Sequence, residues 1–182
     1  MSASPSATHV ALLRGINVGR GNRIAMADLR EAIAAKGYDD VRTLLASGNV
    51  LFRPRSVSTD ESAAAIAEVL RSSFGIFTSV VVLTGEEIAD VVSGNPWSEQ
   101  ISDASRLLIS IPFIAADVRR LKPLLGMDWG TSRLALGDRV AYLWCPEGIL
   151  ASELPDAVSR ALGNAVTSRN LATMLKLHSL TS

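Results

Sequence analysis

Val41-Arg42-Thr43-Leu44-Leu45-Ala46-Ser47-Gly48-Asn49-Val50-Leu51-Phe52-Arg53 holds two apolar runs, Val41 to Ala46 and Val50 to Arg53, on either side of Ser47-Gly48-Asn49. Gly-Asn between such runs predicts two antiparallel strands joined by a tight hairpin. Upstream, His9 to Leu13 is a short apolar run followed by glycine-rich sequence, the pattern of a buried strand. From Met26 to Lys36 the residues Leu29, Ala32, Ile33 and Lys36 recur at helical spacing, and Gly37 supplies a left-handed stop. Downstream, Thr59 is expected to cap a helix whose apolar stripe is Ala63, Ile66, Leu70 and Phe74 and which ends at Gly75. Ser79 to Leu83 reads as a β-branched strand, and Thr84 with Glu87 as the capping box of a short helix through Val92. The order is therefore βαββαβ with an appended helix.

The same order returns in the second half. Arg106 to Phe113 predicts a strand and Ala115 to Leu125 a helix that Pro123 should kink or shorten, because proline removes a helical hydrogen bond and crowds the preceding turn. Arg133 to Leu136 and Val140 to Cys145 flank Gly137-Asp138 as a hairpin. Ser152 to Leu162 is a helix closed by Gly163, Ala165 to Ser168 a short strand, and Asn170 to Leu177 a last helix capped by Asn170. The expected fold class is α+β, two tandem ferredoxin-like (α/β-plait) units spanning residues 9–94 and 106–182 with a linker at 95–105. Such a unit sets its first and third strands centrally and antiparallel. In the first unit, the loop after strand one and the central hairpin then emerge at one end of the sheet. In the second, the connection after strand three and the segment after strand four share an end.

Composition fits this fold: 48% of the 182 residues are hydrophobic and 20% charged, enough apolar material for packed cores. With one cysteine, Cys145, and two histidines, His9 and His178, neither a disulfide framework nor a Cys/His zinc site can be assembled, so no metal is expected. The first eight residues are small and polar, without the basic start and apolar stretch of a signal peptide, and read as a flexible tail. No run approaches membrane-spanning length. A cytoplasmic, non-membrane setting follows. Net charge is zero but uneven: residues 9 to 55 carry eight Arg/Lys against four Asp/Glu, and residues 56 to 105 carry one against eight. That permits local anion binding and argues against strong, general nucleic-acid binding.

The sharpest feature is Arg14-Gly15-Ile16-Asn17-Val18-Gly19-Arg20-Gly21-Asn22-Arg23, a connection of ten residues where compact domains commonly use about 4 to 6. Its glycines, Gly15 and Gly19 among them, let backbone amides approach a ligand. Arg14, Arg20 and Arg23 supply forked donors suited to phosphate or carboxylate, and a helix N-terminus follows. The Gly-x3-Gly-x-Gly spacing matches neither the dinucleotide fingerprint nor the Walker loop. The alternative is structural: Arg14 and Asn17 satisfy buried carbonyls and shape the loop, while Arg20 and Arg23 solvate it. Ser47 and Asn49 arrive at the same end of the sheet and either join a site or only make a turn.

A second candidate is Thr167-Ser168-Arg169-Asn170. Capping accounts for Asn170. Arg169, a cation at the positive end of a helix, calls for an anion nearby, and a surface arginine reaching a neighbouring carboxylate meets that need as well as a ligand does. Neither histidine sits where it could serve a nucleophile, Cys145 has no cation or helix N-terminus to activate it, and no catalytic residue is assigned. Tyr142 and Trp144 share one strand face, as stacking aromatics of RNA-binding sheets do, yet lack a matching pair beside them and read as packing residues.

At Leu12-Leu13-Arg14-Gly15-Ile16-Asn17-Val18-Gly19, Met26-Ala27-Asp28-Leu29-Arg30, Ser47-Gly48-Asn49-Val50, Asn95-Pro96-Trp97 and Thr167-Ser168-Arg169-Asn170 the chain resembles the bacterial family known as domain of unknown function 1697. The resemblance covers nearly the whole chain and implies a two-part α/β plait, with no activity, substrate or cofactor attached. It is weaker near the C-terminus, where Glu153 stands in place of a basic residue and Leu171 in place of tryptophan. Two functions are carried forward, binding of an anionic small molecule at the Gly/Arg loop and a nucleic-acid-binding or protein-interaction role without catalysis. A purely structural or assembly role is a third. Whether the chain is an enzyme, and its oligomeric state, stay open.

Overall fold

The computed structural model describes residues 8–54 and 58–181; most of the expected N-terminal tail lies outside the described residues. The chain divides into two compact units, the first running through Ile88 and taking in the last residues from Leu180, the second Ala89–Ser179. Each holds one four-stranded antiparallel sheet with helices, so the fold is α+β.

In the first unit, β1 (His9–Leu13), α1 (Met26–Ala34), β2 (Asp39–Leu44), β3 (Asn49–Arg53), α2 (Thr59–Phe74) and β4 (Val80–Thr84) follow in order, and α3 (Gly85–Ser93) carries the chain past the division. The strands lie in the order β2-β3-β1-β4. Ala11, Leu13, Val50, Phe52, Val80 and Val82 share one face by register and pack on Leu29 and Ile33 of α1 and on Ile66, Val69 and Leu70 of α2. Alternation along β1 sends Val10 and Leu12 to the other face, and these are also fully buried. Tyr38 meets Phe52 edge to face, with ring centroids 4.8 Å apart.

Two local expectations are corrected here. The α2 cap is Ser58 rather than Thr59: its hydroxyl accepts from the Glu61 amide, and the Glu61 carboxylate accepts from the Ser58 amide. A capping box needs a Glu three residues after the cap, and only Ser58 has one. The hairpin is also wider than Gly-Asn. It is a four-residue turn, Leu45 to Gly48, with Leu45 and Gly48 in the left-handed region (φ 59° and 81°) and Asn49 already paired in β3. Two expectations hold as read. Gly75 closes α2 in the left-handed conformation, and Thr84 and Glu87 form their reciprocal box at 2.9 and 3.1 Å.

The second unit contains β5 (Leu107–Pro112), a 3₁₀ helix (Ala115–Gly126), β6 (Arg133–Leu136), β7 (Ala141–Trp144), α4 (Leu154–Leu162), β8 (Val166–Asn170) and α5 (Leu171–Thr181) as far as Ser179, with strand order β6-β7-β5-β8. Its core joins Ala141, Leu143 and Val166 of the sheet to Val118 and Leu121 of the 3₁₀ helix and Leu154, Val158 and Leu162 of α4. The 3₁₀ helix stands where an α-helix was expected. Pro123, inside it, has no amide hydrogen and its ring would collide with an α-helical turn, so the segment winds tighter over its whole length. Strand β8 runs to Asn170, past the expected end at Ser168, and Asn170 still caps α5 by accepting from the Thr173 amide at 2.9 Å.

Candidate functional site

The chain leaves β1 at Leu13, whose amide donates to the Gly48 carbonyl of the hairpin at 2.9 Å. This approach requires glycine. A Cβ on Gly48 would stand 2.9 Å from the Leu13 Cβ and 3.1 Å from that of Ile16, and its φ of 81° disfavours any side chain. Arg14 is braced from the other side: its amide donates to the Ser79 carbonyl at 3.2 Å, and its carbonyl accepts from the Thr78 hydroxyl at 2.7 Å.

Beyond Arg14 the loop is wound by four left-handed residues, Gly15, Asn17, Gly19 and Asn22. Buried Ile16 and Ile24 anchor its two ends in the core. Asn17 is the pin. Its Nδ2 donates to the carbonyls of Ile24 and Ala46, both at 2.9 Å, and its Oδ1 accepts from the Ile24 amide at 2.9 Å. One side chain therefore closes the loop on itself and fastens it to the hairpin. Its backbone amide donates to the Asn22 carbonyl at 3.0 Å, while the Asn22 side chain donates to the Gly15 carbonyl at 3.2 Å.

Both hydrogens of the Asn17 carboxamide are spent inside the protein. Asn49 is fully buried and donates to the Leu44 carbonyl at 2.8 Å and the Ser47 hydroxyl at 3.2 Å, so it holds the hairpin together. The arginines differ. Arg14 is half-buried at the foot of the loop. Arg23 is exposed and spans the loop to the Gly19 carbonyl at 2.7 Å. Arg20 is exposed at the tip. Neither Arg20 nor Arg23 has a carboxylate partner among the described residues, and no Asp or Glu occurs between Arg14 and Ala27 or between Leu44 and Asn49. Helix α1 then begins at Met26 with no side chain capping its first amides.

Arg169 and Asn170 lie elsewhere, in the second unit. Arg169 is not the surface arginine expected from sequence: it is 9% exposed and donates to the Thr167 hydroxyl at 2.9 Å and the Ser168 carbonyl at 2.8 Å. Burial pulls its pKa down to about 10, which leaves it charged at neutral pH. A polar cavity of that unit, about 490 Å³, is lined instead by Asp128, Thr131 and Glu147 together with Ser152 and Glu153, which precede α4. Glu147 accepts from the Thr131 hydroxyl at 3.2 Å, and the Ser152 hydroxyl accepts from the Leu154 amide at 3.2 Å at the start of α4. Tyr142 is a packing residue, 3% exposed, its hydroxyl donating to the Val91 carbonyl at 2.8 Å and its pKa pushed up to about 12 by burial. Trp144 carries Trp97 and Arg133 on its ring.

The braces Thr78 and Ser79 and the clasp Asn22 are absent from the sequence-derived set. Asn22 could have been found as a residue tolerant of left-handed backbone in a glycine-rich loop. Thr78 meets Arg14 across 64 positions and leaves no local signal.

Among the described residues no group of three or more His, Cys, Asp or Glu side chains is gathered as metal ligands, and no helix is long and apolar enough to cross a membrane. Residues 7–142 match the family described as "Protein of unknown function (DUF1697)", and the chain belongs to that family. No curated protein matches the chain. A solved structure of a conserved bacterial protein from Streptococcus pneumoniae is similar in fold, with a TM-score of 0.75 and 21% identity over 97% of this chain and 99% of that one.

Proposed function

We propose that this member of the family binds an anionic small molecule, a phosphate or carboxylate, at the loop 14–23. The observation that carries the reading is the pairing of a loop fixed by Asn17 with two exposed arginines, Arg20 and Arg23, that no carboxylate neutralises among the described residues. Side-chain entropy and desolvation ordinarily oppose holding cations together. A pre-shaped loop lowers the cost of gripping an anion, and a forked guanidinium matches its oxygens. The left-handed Gly15 and Gly19 keep the backbone accessible, the uncapped start of α1 favours negative charge, and Ser47 offers a hydroxyl from the adjoining turn. Arg14 and Asn49 complete the site as supports, whereas Arg169 and Asn170 are left to structural roles. The strand orders support reading residues 9–94 and 106–182 as ferredoxin-like plaits joined by 95–105. The lone buried thiol of Cys145 fits a reducing, cytoplasmic setting.

A ligand that binds only the native state raises the melting temperature with its concentration. Inorganic phosphate and a panel of phosphorylated and carboxylated metabolites should therefore raise that of the wild type, and Arg20→Ala with Arg23→Ala should abolish the shift. A wild type unmoved by the whole panel removes the proposal.

A further inference from the structure

The geometry points to a ligand that joins its anion to a planar aromatic group, a nucleoside phosphate being the simplest, with the ring lying in a groove beside Phe77; this rests on the anion reading of the arginine loop. The groove lies in the first unit between α2 and the segment 76–79. It has a volume of about 390 Å³, within the roughly 300 to 1,000 Å³ of small-molecule sites, and Ala64, Ala67, Ile76 and Phe77 form its apolar lining.

Its shape follows from the end of α2. Gly75 turns left-handed, its amide donating to the Arg71 carbonyl and the next amide, Ile76, to that of Leu70, both at 3.0 Å. This turn folds Ile76 inward, 7% exposed, and throws Phe77 outward, 80% exposed. A phenyl ring so displayed presents a face on which a second ring can stack, and the short side chains of Ala64 and Ala67 leave the opposite wall open. Glu68 and Arg71 at the rim neutralise each other through a two-pronged ion pair at 2.6 and 2.8 Å, so the groove itself offers an anion nothing.

Two residues link groove and loop. Thr78 and Ser79 line the groove, and the same two residues brace the backbone of Arg14. Thr78 and Ser79 thus belong both to the wall of the groove and to the brace at the foot of the arginine loop. A ligand with a charged end at the loop and a flat end on Phe77 uses both surfaces, and a bare anion uses one.

Calorimetric titration with adenosine monophosphate and with inorganic phosphate, on the full chain, tests this. Base–aromatic stacking predicts that the nucleotide binds about tenfold tighter or more. Phe77→Ala should bring its affinity down to that of phosphate, and Ala64→Leu, which fills the groove on an exposed helix face, should do the same; neither should change phosphate binding. A nucleotide no tighter than phosphate, or a gain that survives both substitutions, overturns the groove while leaving the loop standing. Binding of both probes that is indifferent to Arg20→Ala with Arg23→Ala overturns the loop reading instead, and no binding of either overturns both.

Discussion

Asn17 holds three side-chain hydrogen bonds, two that close its own loop at Ile24 and one that reaches Ala46 of the hairpin, and such bonds contribute roughly 1 kcal/mol each when their loss strands a backbone group. Asn17→Ala should lower unfolding free energy by about 2 to 3 kcal/mol in urea, with some further cost for alanine at φ 55°. Asn17→Gly, which accepts that φ, should retain most of the loss; recovery of full stability would mean that the bonds contribute nothing. Gly48→Ala should cost about 2 kcal/mol or more, since a positive φ and an overpacked contact each carry a penalty of that order. His9 gives a pH signature. Burial lowers its pKa more than Glu87 raises it, so below its ordinary value of 6.5 the unfolded chain binds the proton and the native state resists it. Stability should thus be fully present above about pH 6.5 and fall as pH drops below it, and His9→Gln should flatten that slope. An unchanged slope would assign it to other groups.

Most elements were legible because their signals are local. The apolar run from His9 to Leu13, the stripe of α2, the stop at Gly75 and the box of Thr84 with Glu87 each lie within a turn or two of chain, and the structure keeps them. The misreadings came from competition between neighbours. Ser58 and Thr59 are both good caps, and Glu61 selects Ser58 by its spacing; Ser58→Ala should lower stability by about 1 kcal/mol, and a full effect from Thr59→Ala instead would contradict the assignment. Pro123 predicts a kinked or shortened α-helix, whereas the segment is 3₁₀ from Ala115 to Gly126, since tightening every turn accommodates the proline without a break. Of the candidate site, the arginines and glycines were visible in sequence. The braces at Thr78 and Ser79 were not, because long-range hydrogen bonds leave no periodicity.

Across the molecule, charge and topology meet at one place. The basic segment 9 to 55 delivers its loop and its hairpin to the same end of the first sheet, where Leu12 pairs with Asn49 and Leu13 donates to Gly48. Arg42 and Arg53, by contrast, spend their charge on Asp40 at the far edge of that sheet. At the loop end, Arg20 and Arg23 have no carboxylate partner among the described residues, and a field so local suits a small anion better than a long polyanion. The most direct test is a ¹H–¹⁵N correlation spectrum of the full chain titrated with inorganic phosphate. Saturable shifts concentrated on the amides of Gly15 to Arg23 and of Ala46 to Asn49 are the predicted result; shifts centred elsewhere, or none that saturate, would contradict the account.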